Sequence, residues 1–273
     1  MKKKILLILF LGFTVIVFSQ KQYNDVIVSR KKITITKDST LIITENINPD
    51  LSFLCNKNYI DKRIFSTYNY SVFQNSRKIN NQYLQLKQWN TPIIIFFDKQ
   101  ISKIMINKFK LYFDQLKGVK NLKISYTKNL EKANYYFKVT RKKVSAFDKN
   151  HKFSKNFNKK THPLFNLNYN ILTDKNNKFY SCILEINQQE LEENDLVLKK
   201  MKQLFYLSLG NFTIKNYGLD YSLISIKYRN DETISKHDLD FLKIHYGKIY
   251  EQKINENLFN ELKKIANEKC NNK

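Results

Sequence analysis

One stretch decides how this chain folds: Asp195-Leu-Val-Leu-Lys-Lys-Met-Lys-Gln-Leu-Phe-Tyr-Leu-Ser-Leu-Gly210. Its apolar residues recur at intervals of three or four, which predicts an amphipathic helix over 195–209. Asp195 is expected to cap the start of this helix and Gly210 to end it, because Asp favours helix N-termini and Gly favours the position after a helix. The stretch contains no His, and Asp195 is its only acidic residue.

Two more helices are predicted after this one. The turn Ser222-Leu-Ile224 is followed by Asp238-Leu-Asp-Phe-Leu-Lys-Ile-His-Tyr-Gly247. Ser235 and Asp238 have the spacing of an N-terminal capping box for the second helix, which should run through Tyr246. A third amphipathic helix is predicted over 255–269.

The chain before Asp195 predicts strands around a long helix. The apolar run 92–97 predicts a buried strand, and Asp98 is expected to cap a helix over 101–116 that ends at Gly118. Three further strands are predicted at 122–126, 134–139 and 181–187. The sequence therefore predicts an α+β fold, a mixed β-sheet with two principal helices plus a C-terminal helix.

This order of landmarks resembles the zincin fold of metzincin proteases, in their matrixin branch, over about Trp89 to Gly247. It also resembles uncharacterised secreted bacterial proteins related to zincins. Three motifs carry the resemblance: Trp89-Asn-Thr-Pro, Ala133-Asn-Tyr-Tyr-Phe, and the run from Asp238 to Gly247. The fold and the site that follow from it are expectations.

The resemblance implies a zinc site whose ligands this chain lacks. Active members carry His-Glu-x-x-His-x-x-Gly-x-x-His, in which three His bind zinc and the Glu acts on the bound water. Aligned on the glycine, the degenerate zincin positions, with the turn position that is Met in the family, are Gln203, Leu204, Leu207, Gly210, Thr213 and Ile224. We therefore expect no catalytic residues, no metal and no cofactor.

The resemblance also implies a binding cleft. The segment corresponding to the antiparallel edge strand that binds extended peptide in active members is Cys182, Ile183, Leu184, Glu185 and Ile186. The space between this strand and the helix of Gln203 is the expected interaction site. The partner would be a protein or peptide whose identity the sequence does not give.

Other reactive residues form no recognisable site. The four His, at 151, 162, 237 and 245, lack the spacing of a preformed metal site. Asp238 and Asp240 are expected on a solvated helix surface. Of the three Cys, at 55, 182 and 270, no spacing favours a disulfide, and Cys182 is expected to be a buried free thiol on a strand face.

The N-terminal part divides the chain into segments. Residues 1–19 have the Lys-rich start and short apolar run of a signal peptide, with cleavage expected before Gln20, which predicts a secreted or periplasmic protein. Residues 20–88 are predicted to be an extension with a weak β-hairpin and a lead-in. Residues 89–273 would form the zincin-like domain, with a basic insertion over 141–178.

The formal net charge of +24 comes mostly from Lys, whereas specific phosphate or base recognition favours Arg. We therefore expect a solvated basic surface, with no specific nucleic-acid partner, that could adhere to anionic polymers or membranes. The expected polyanion patch is Arg141, Lys142, Lys143, Lys159 and Lys160. The preferred function is a catalytically inactive binding or scaffolding module; the alternatives are a metallopeptidase-like hydrolase with unrecognised ligands and a lysine-rich adhesion protein.

Overall fold

The structure is a computed structural model that forms two compact units, residues 1–50 and 51–273. It describes residues 25–28, 31–35, 41–43, 62–73, 86–142, 144, 167–192, 194–214, 219–247 and 254–271.

The first unit contains a three-stranded antiparallel sheet in the order β1-β2-β3. Its strands are β1 (Asp25–Val28), β2 (Lys31–Ile35) and β3 (Leu41–Ile43). Strands β2 and β3 lie where the alternating sequence predicted a hairpin. Strand β1 adds a partner that the sequence analysis missed, pairing Val26 with Ile33.

The second unit is built on a mixed sheet in which all but one of the strands run parallel to a neighbour. The strands are β4 (Gln88–Trp89), β5 (Ile93–Phe97), β6 (Ile124–Tyr126), β7 (Tyr135–Thr140), β8 (Leu167–Thr173) and β9 (Lys178–Asn187). Strand β7 pairs with β5 on one side and with β9 on the other, and β6 pairs with β5. Strand β8 pairs antiparallel with β9 and is an edge strand among the strands that the structure describes.

Five α-helices are present among the described residues. They are α1 (Lys62–Phe73), α2 (Lys103–Asp114), α3 (Asn194–Ser208), α4 (Lys236–His245) and α5 (Glu256–Asn271). The prediction of helices combined with a mixed sheet is confirmed, although the described residues contain five α-helices rather than two principal helices and a C-terminal one.

An aromatic core joins the sheet to α2 and α3. Alternate residues of β7, which are Tyr135, Phe137 and Val139, are buried on one face of the sheet. The Phe137 ring lies 5.0 Å from the ring of Phe109 on α2, and the Tyr135 ring lies 5.1 Å from that of Phe205 on α3. Burial of these rings fixes both helices against the same face of the sheet.

Helix α1 was not predicted, although its sequence carries a helical signal. Ile64, Phe65, Tyr68 and Phe73 are all buried, and Tyr68 follows Ile64 and Phe65 at the four- and three-residue spacings of one helix face. The Tyr68 ring lies 5.0 Å from that of Phe241 on α4. Because Asn, Ser and Tyr fill many of the other positions, the local sequence predicts a polar lead-in rather than a helix.

Two local predictions were wrong. Helix α2 is capped by Ser102, whose side chain accepts from the Met105 N–H, whereas Asp98 accepts from Gln100 and Tyr136. Asp195 lies inside the first turn of α3, which begins at Asn194, so Asp195 is not the N-cap. Within the proposed basic insertion over 141–178, Leu167–Thr173 forms β8, which the sequence analysis did not predict.

No helix in the described part of the chain is long and apolar enough to cross a membrane. The proposed signal peptide at 1–19 lies outside the described residues.

Candidate functional site

Gln203 is fully buried and lies on the side of α3 that meets the turn before α4. Its Nε2 donates to the Ser225 carbonyl at 2.8 Å and to the Leu223 carbonyl at 3.4 Å. The amide therefore ties the helix to the turn, in place of the imidazole that the zincin alignment would require there. Its Oε1 has no hydrogen-bond partner in the part of the chain that the structure describes.

Leu204 and Leu207 are also fully buried. These are the positions that the resemblance assigns to the general-base Glu and to the second zinc-binding His. A leucine side chain offers neither a metal ligand nor a proton acceptor. This part of α3 is therefore suited to packing rather than to acid–base or metal chemistry.

Gly210 is required by close packing. A Cβ added at Gly210 would lie 2.0 Å from the Phe212 ring and 2.7 Å from His245 Nε2. Helix α3 ends at Ser208, and the Phe212 N–H donates to the Leu207 carbonyl at 2.9 Å. Gly210 thus ends the helix region as predicted, and it also gives room to two buried rings.

His245 is fully buried beside Gly210 and takes part in a cluster of hydrogen bonds. Its Nε2 lies 3.0 Å from the Lys87 carbonyl and its Nδ1 lies 3.0 Å from the Tyr68 hydroxyl. Because a carbonyl only accepts, Nε2 carries the proton and Nδ1 accepts from Tyr68. Burial lowers the pKa of His245 to about 3, so the imidazole is neutral at physiological pH.

Asp238 connects α4 to the turn and to α3. Its carboxylate accepts from the Ser222 hydroxyl and from the Leu223 N–H, and its backbone carbonyl accepts from the Tyr206 hydroxyl at 2.9 Å. Asp238 and Asp240 are buried, so the expectation of a solvated helix surface was wrong. Ser235 caps α4 as predicted, because its hydroxyl accepts from the Asp238 N–H. The Asp238 carboxylate, however, bonds to the turn at 222–223, which is not the role that a capping box would give it.

Thr213 and Ile224 complete the degenerate zincin positions. Ile224 is buried in the turn that Gln203 contacts. Thr213 is half-buried, and its N–H donates to the Ser71 carbonyl on α1 at 2.9 Å. The turn is thus bonded to α3, whereas the segment of Thr213 is bonded to α1.

The predicted cleft strand is not an edge. Residues 182–186 lie in the interior strand β9, which pairs in parallel with β7 and antiparallel with β8. Within the described ranges, β8 is the antiparallel edge strand. Its Tyr169 reaches the chain just after α3 by donating its hydroxyl to Asn211 Oδ1 at 3.1 Å. The sequence analysis missed β8, which lies within the predicted basic insertion over 141–178.

Cys182 is a buried free thiol, as its strand position predicted. Burial raises the pKa of this thiol to about 12. Because the thiolate is the reactive form, Cys182 is unsuited to nucleophilic catalysis.

Lys202 is a further buried group whose amine could act as a nucleophile. Its Nζ donates to Asn230 Oδ1 and to the Asp231 carbonyl, both at 3.1 Å, and lies 4.0 Å from the centre of the Tyr112 ring. Burial lowers the pKa of Lys202 to about 8. These contacts engage the amine in holding α3 to the segment before α4.

The expected polyanion patch is described only in part. Arg141 and Lys142 are exposed at the end of β7. Lys143, Lys159 and Lys160 lie outside the described residues. Arg141 also lines a cavity with Gln100, Asn187, Gln188, Gln189, Leu191 and Glu192. The sequence analysis missed this cavity; the available signal was polar residues following the ends of parallel strands.

Within the described ranges, no group of three or more His, Cys, Asp or Glu side chains is placed to hold a metal ion. No protein-family model matches this chain, and no curated protein matches it. The fold and the side chains described above therefore carry the functional argument.

Proposed function

We propose that this protein is an exported zincin-like module that binds an extended polypeptide without hydrolysing it. The observation that carries the proposal lies on α3. Leu204 and Leu207 are fully buried where an active zincin would present its general base and a zinc ligand, and Gln203 is bonded to the turn at 223–225. These side chains lack the ligand set of a catalytic zinc, which is three protein ligands and an open position.

The order of elements supports the zincin part of the proposal. A strand (β5) is followed by a long helix (α2), two strands, an antiparallel edge strand, a further strand and the helix α3. An irregular turn and α4 come next, and Asp238 holds them together. The sequence landmarks of the resembled family stand in the same order along the chain.

The binding surface proposed is the outer edge of β8. An edge strand presents backbone N–H and C=O groups that an extended peptide can pair with, and neighbouring side chains then select the sequence. The Tyr169 to Asn211 hydrogen bond places β8 beside the end of α3. The degenerate helix would therefore form one side of the peptide-binding cleft.

A synthetic library of random hexapeptides provides the test. The strongest binder should shift the backbone amide resonances of Leu167–Thr173 in the NMR spectrum. Methylating the peptide nitrogens that face β8 should abolish binding, whereas methylating those on the opposite edge should not. Failure to select any binder, or shifts confined to other strands, would contradict the proposed function.

A second function, adhesion to anionic polymers or membrane surfaces, is favoured by the net charge of +24 and by exposed cations such as Arg141 and Lys142. Such attraction is long-ranged and does not select sequence. It could operate beside peptide binding on a different surface.

A further inference from the structure

We infer that the cavity at the carboxyl ends of the parallel strands is a binding site for a saccharide unit that carries a carboxylate. This site is separate from the peptide edge proposed above. Its volume is about 690 Å³, which lies within the range of small-molecule sites in proteins.

The position of the cavity follows from the sheet. Strands β5, β7 and β9 are parallel, so their carboxyl ends meet at one edge. Gln100 follows β5, Arg141 follows β7, and β9 ends at Asn187 before a 3-10 helix, Gln188–Glu192. Open sheets with parallel strands commonly bind ligands in the crevice at this edge.

The 3-10 helix Gln188–Glu192 forms one wall of the cavity, and side-chain contacts hold it in place. Glu190 forms an ion pair with Lys200 of α3 at 2.6 Å, and the Lys200 side chain is only 2% exposed. The Gln189 N–H donates to Asn187 Oδ1, and Asn187 Nδ2 donates to the Lys142 carbonyl. These bonds fix the backbone on both sides of the cavity before any ligand binds.

The lining side chains match a carboxylated sugar. The Arg141 Nε donates to Gln188 Oε1 at 3.1 Å, which orients the guanidinium and leaves its two Nη groups available to a carboxylate, as judged from the described residues. Gln100 and Gln189 supply amide donors and acceptors for hydroxyl groups. Glu192 can accept from a further hydroxyl.

The same lining argues against other ligands. Leu191 is the only apolar side chain among the lining residues that the structure describes, so a lipid tail or an aromatic group would find little apolar surface. Glu192 partly offsets the charge of Arg141, which disfavours a ligand with several phosphates or sulfates. One carboxylate together with several hydroxyls fits this balance.

Glucuronic acid is the probe for this site, with glucose as the neutral control. We expect saturable binding in the millimolar range or tighter, with NMR shifts at Gln189 and Glu192, and no comparable binding of glucose. Arg141→Gln should weaken glucuronic acid binding about tenfold or more, because it removes a charge-assisted contact.

Lys142→Gln is the matched control, since it removes the same charge from the adjacent exposed residue and should leave the affinity within about twofold. Both residues are exposed, so both variants should keep the thermal unfolding midpoint of the parent. Equal losses in the two variants would show a diffuse charge effect and overturn the site. Equal binding of glucose, or shifts elsewhere, would overturn it as well.

Discussion

At the residue scale, His245 makes the stability of the fold depend on pH. Its pKa is about 3 in the folded protein, against an ordinary value of 6.5. In the unfolded chain the imidazole binds a proton near pH 6.5, so unfolding takes up a proton between pH 6.5 and 3. The contribution of neutral His245 is thus complete above that window and is lost as the pH falls through it.

We expect the free energy of unfolding to fall by up to about 1.4 kcal/mol per pH unit in this window through His245 alone. Urea unfolding of the parent and of His245→Gln at several pH values measures this effect. Subtracting the two slopes of unfolding free energy against pH cancels the contributions of the other titrating groups. His245 resonances in the folded protein should also not titrate between about pH 7 and 5. Parallel slopes together with a normal imidazole titration would contradict the buried neutral assignment.

Leu207 gives a second residue-scale prediction. Because this side chain is fully buried, Leu207→Ala should lower the free energy of unfolding by about 2–5 kcal/mol. Ile104→Ala on α2 is the control, since Ile104 is 71% exposed and its loss should cost less than about 0.5 kcal/mol. Thermal or urea unfolding compares the two variants. Similar small effects would mean that the face of α3 carrying Leu207 is not packed.

At the element scale, Asp238 holds together α3, α4 and the turn between them. The Ser222 hydroxyl and the Leu223 N–H donate to different carboxylate oxygens of Asp238. Asn therefore leaves one amide oxygen as an acceptor and turns an NH₂ group toward one of these two donors. Asp238→Asn should therefore lower the free energy of unfolding by about 1.5–3 kcal/mol.

Asp220→Asn is the matched control for this prediction. Asp220 forms an ion pair with Arg229 in which the two side chains are 45% and 64% exposed. Exposed pairs contribute about 0–1 kcal/mol, so this change should have little effect on urea unfolding. A loss for Asp220→Asn as large as that for Asp238→Asn would contradict the proposed role of Asp238 in joining the three elements.

The elements differ in how well the sequence predicted them. Strand β5 and helices α2 and α3 were predictable because each has a strong local pattern, such as the apolar run 92–97. Strand β8 was not, because Asn168 and Asn170 alternate with Tyr and Ile, and only pairing with β9 makes that segment a strand. Helix α1 likewise depends on tertiary contacts, including the Tyr68 to Phe241 ring contact.

The candidate site likewise has features that the local sequence determines and features that depend on tertiary contacts. From the resemblance and the residue types alone, the sequence predicted that Gln203 and Leu207 stand where the family has zinc ligands, and Leu204 where it has the general-base Glu. It did not predict that Gln203 bonds to the turn at 223–225, or that His245 lies beside Gly210, because those contacts join segments that are distant in sequence. The edge strand was misassigned for the same reason.

At the scale of the whole molecule, the charge predicts weak, salt-sensitive binding to polyanions. The excess of Lys gives attraction that is screened over a Debye length of about 8 Å at physiological ionic strength. Binding to heparin-like and nucleic-acid polymers should therefore fall steeply across a salt series, without preference for sequence. Binding that persists at about 1 M salt, or a strong preference for one sequence, would point to a shaped site instead.

We propose that this chain has a zincin-like scaffold without the zinc chemistry of that family. The most direct measurement is the zinc content of the purified protein after dialysis against a weak chelator, together with a peptidase assay on the same sample. We predict far less than one zinc per chain and no metal-dependent cleavage. Close to one zinc per chain, removed by a strong chelator together with a peptidase activity, would contradict the claim.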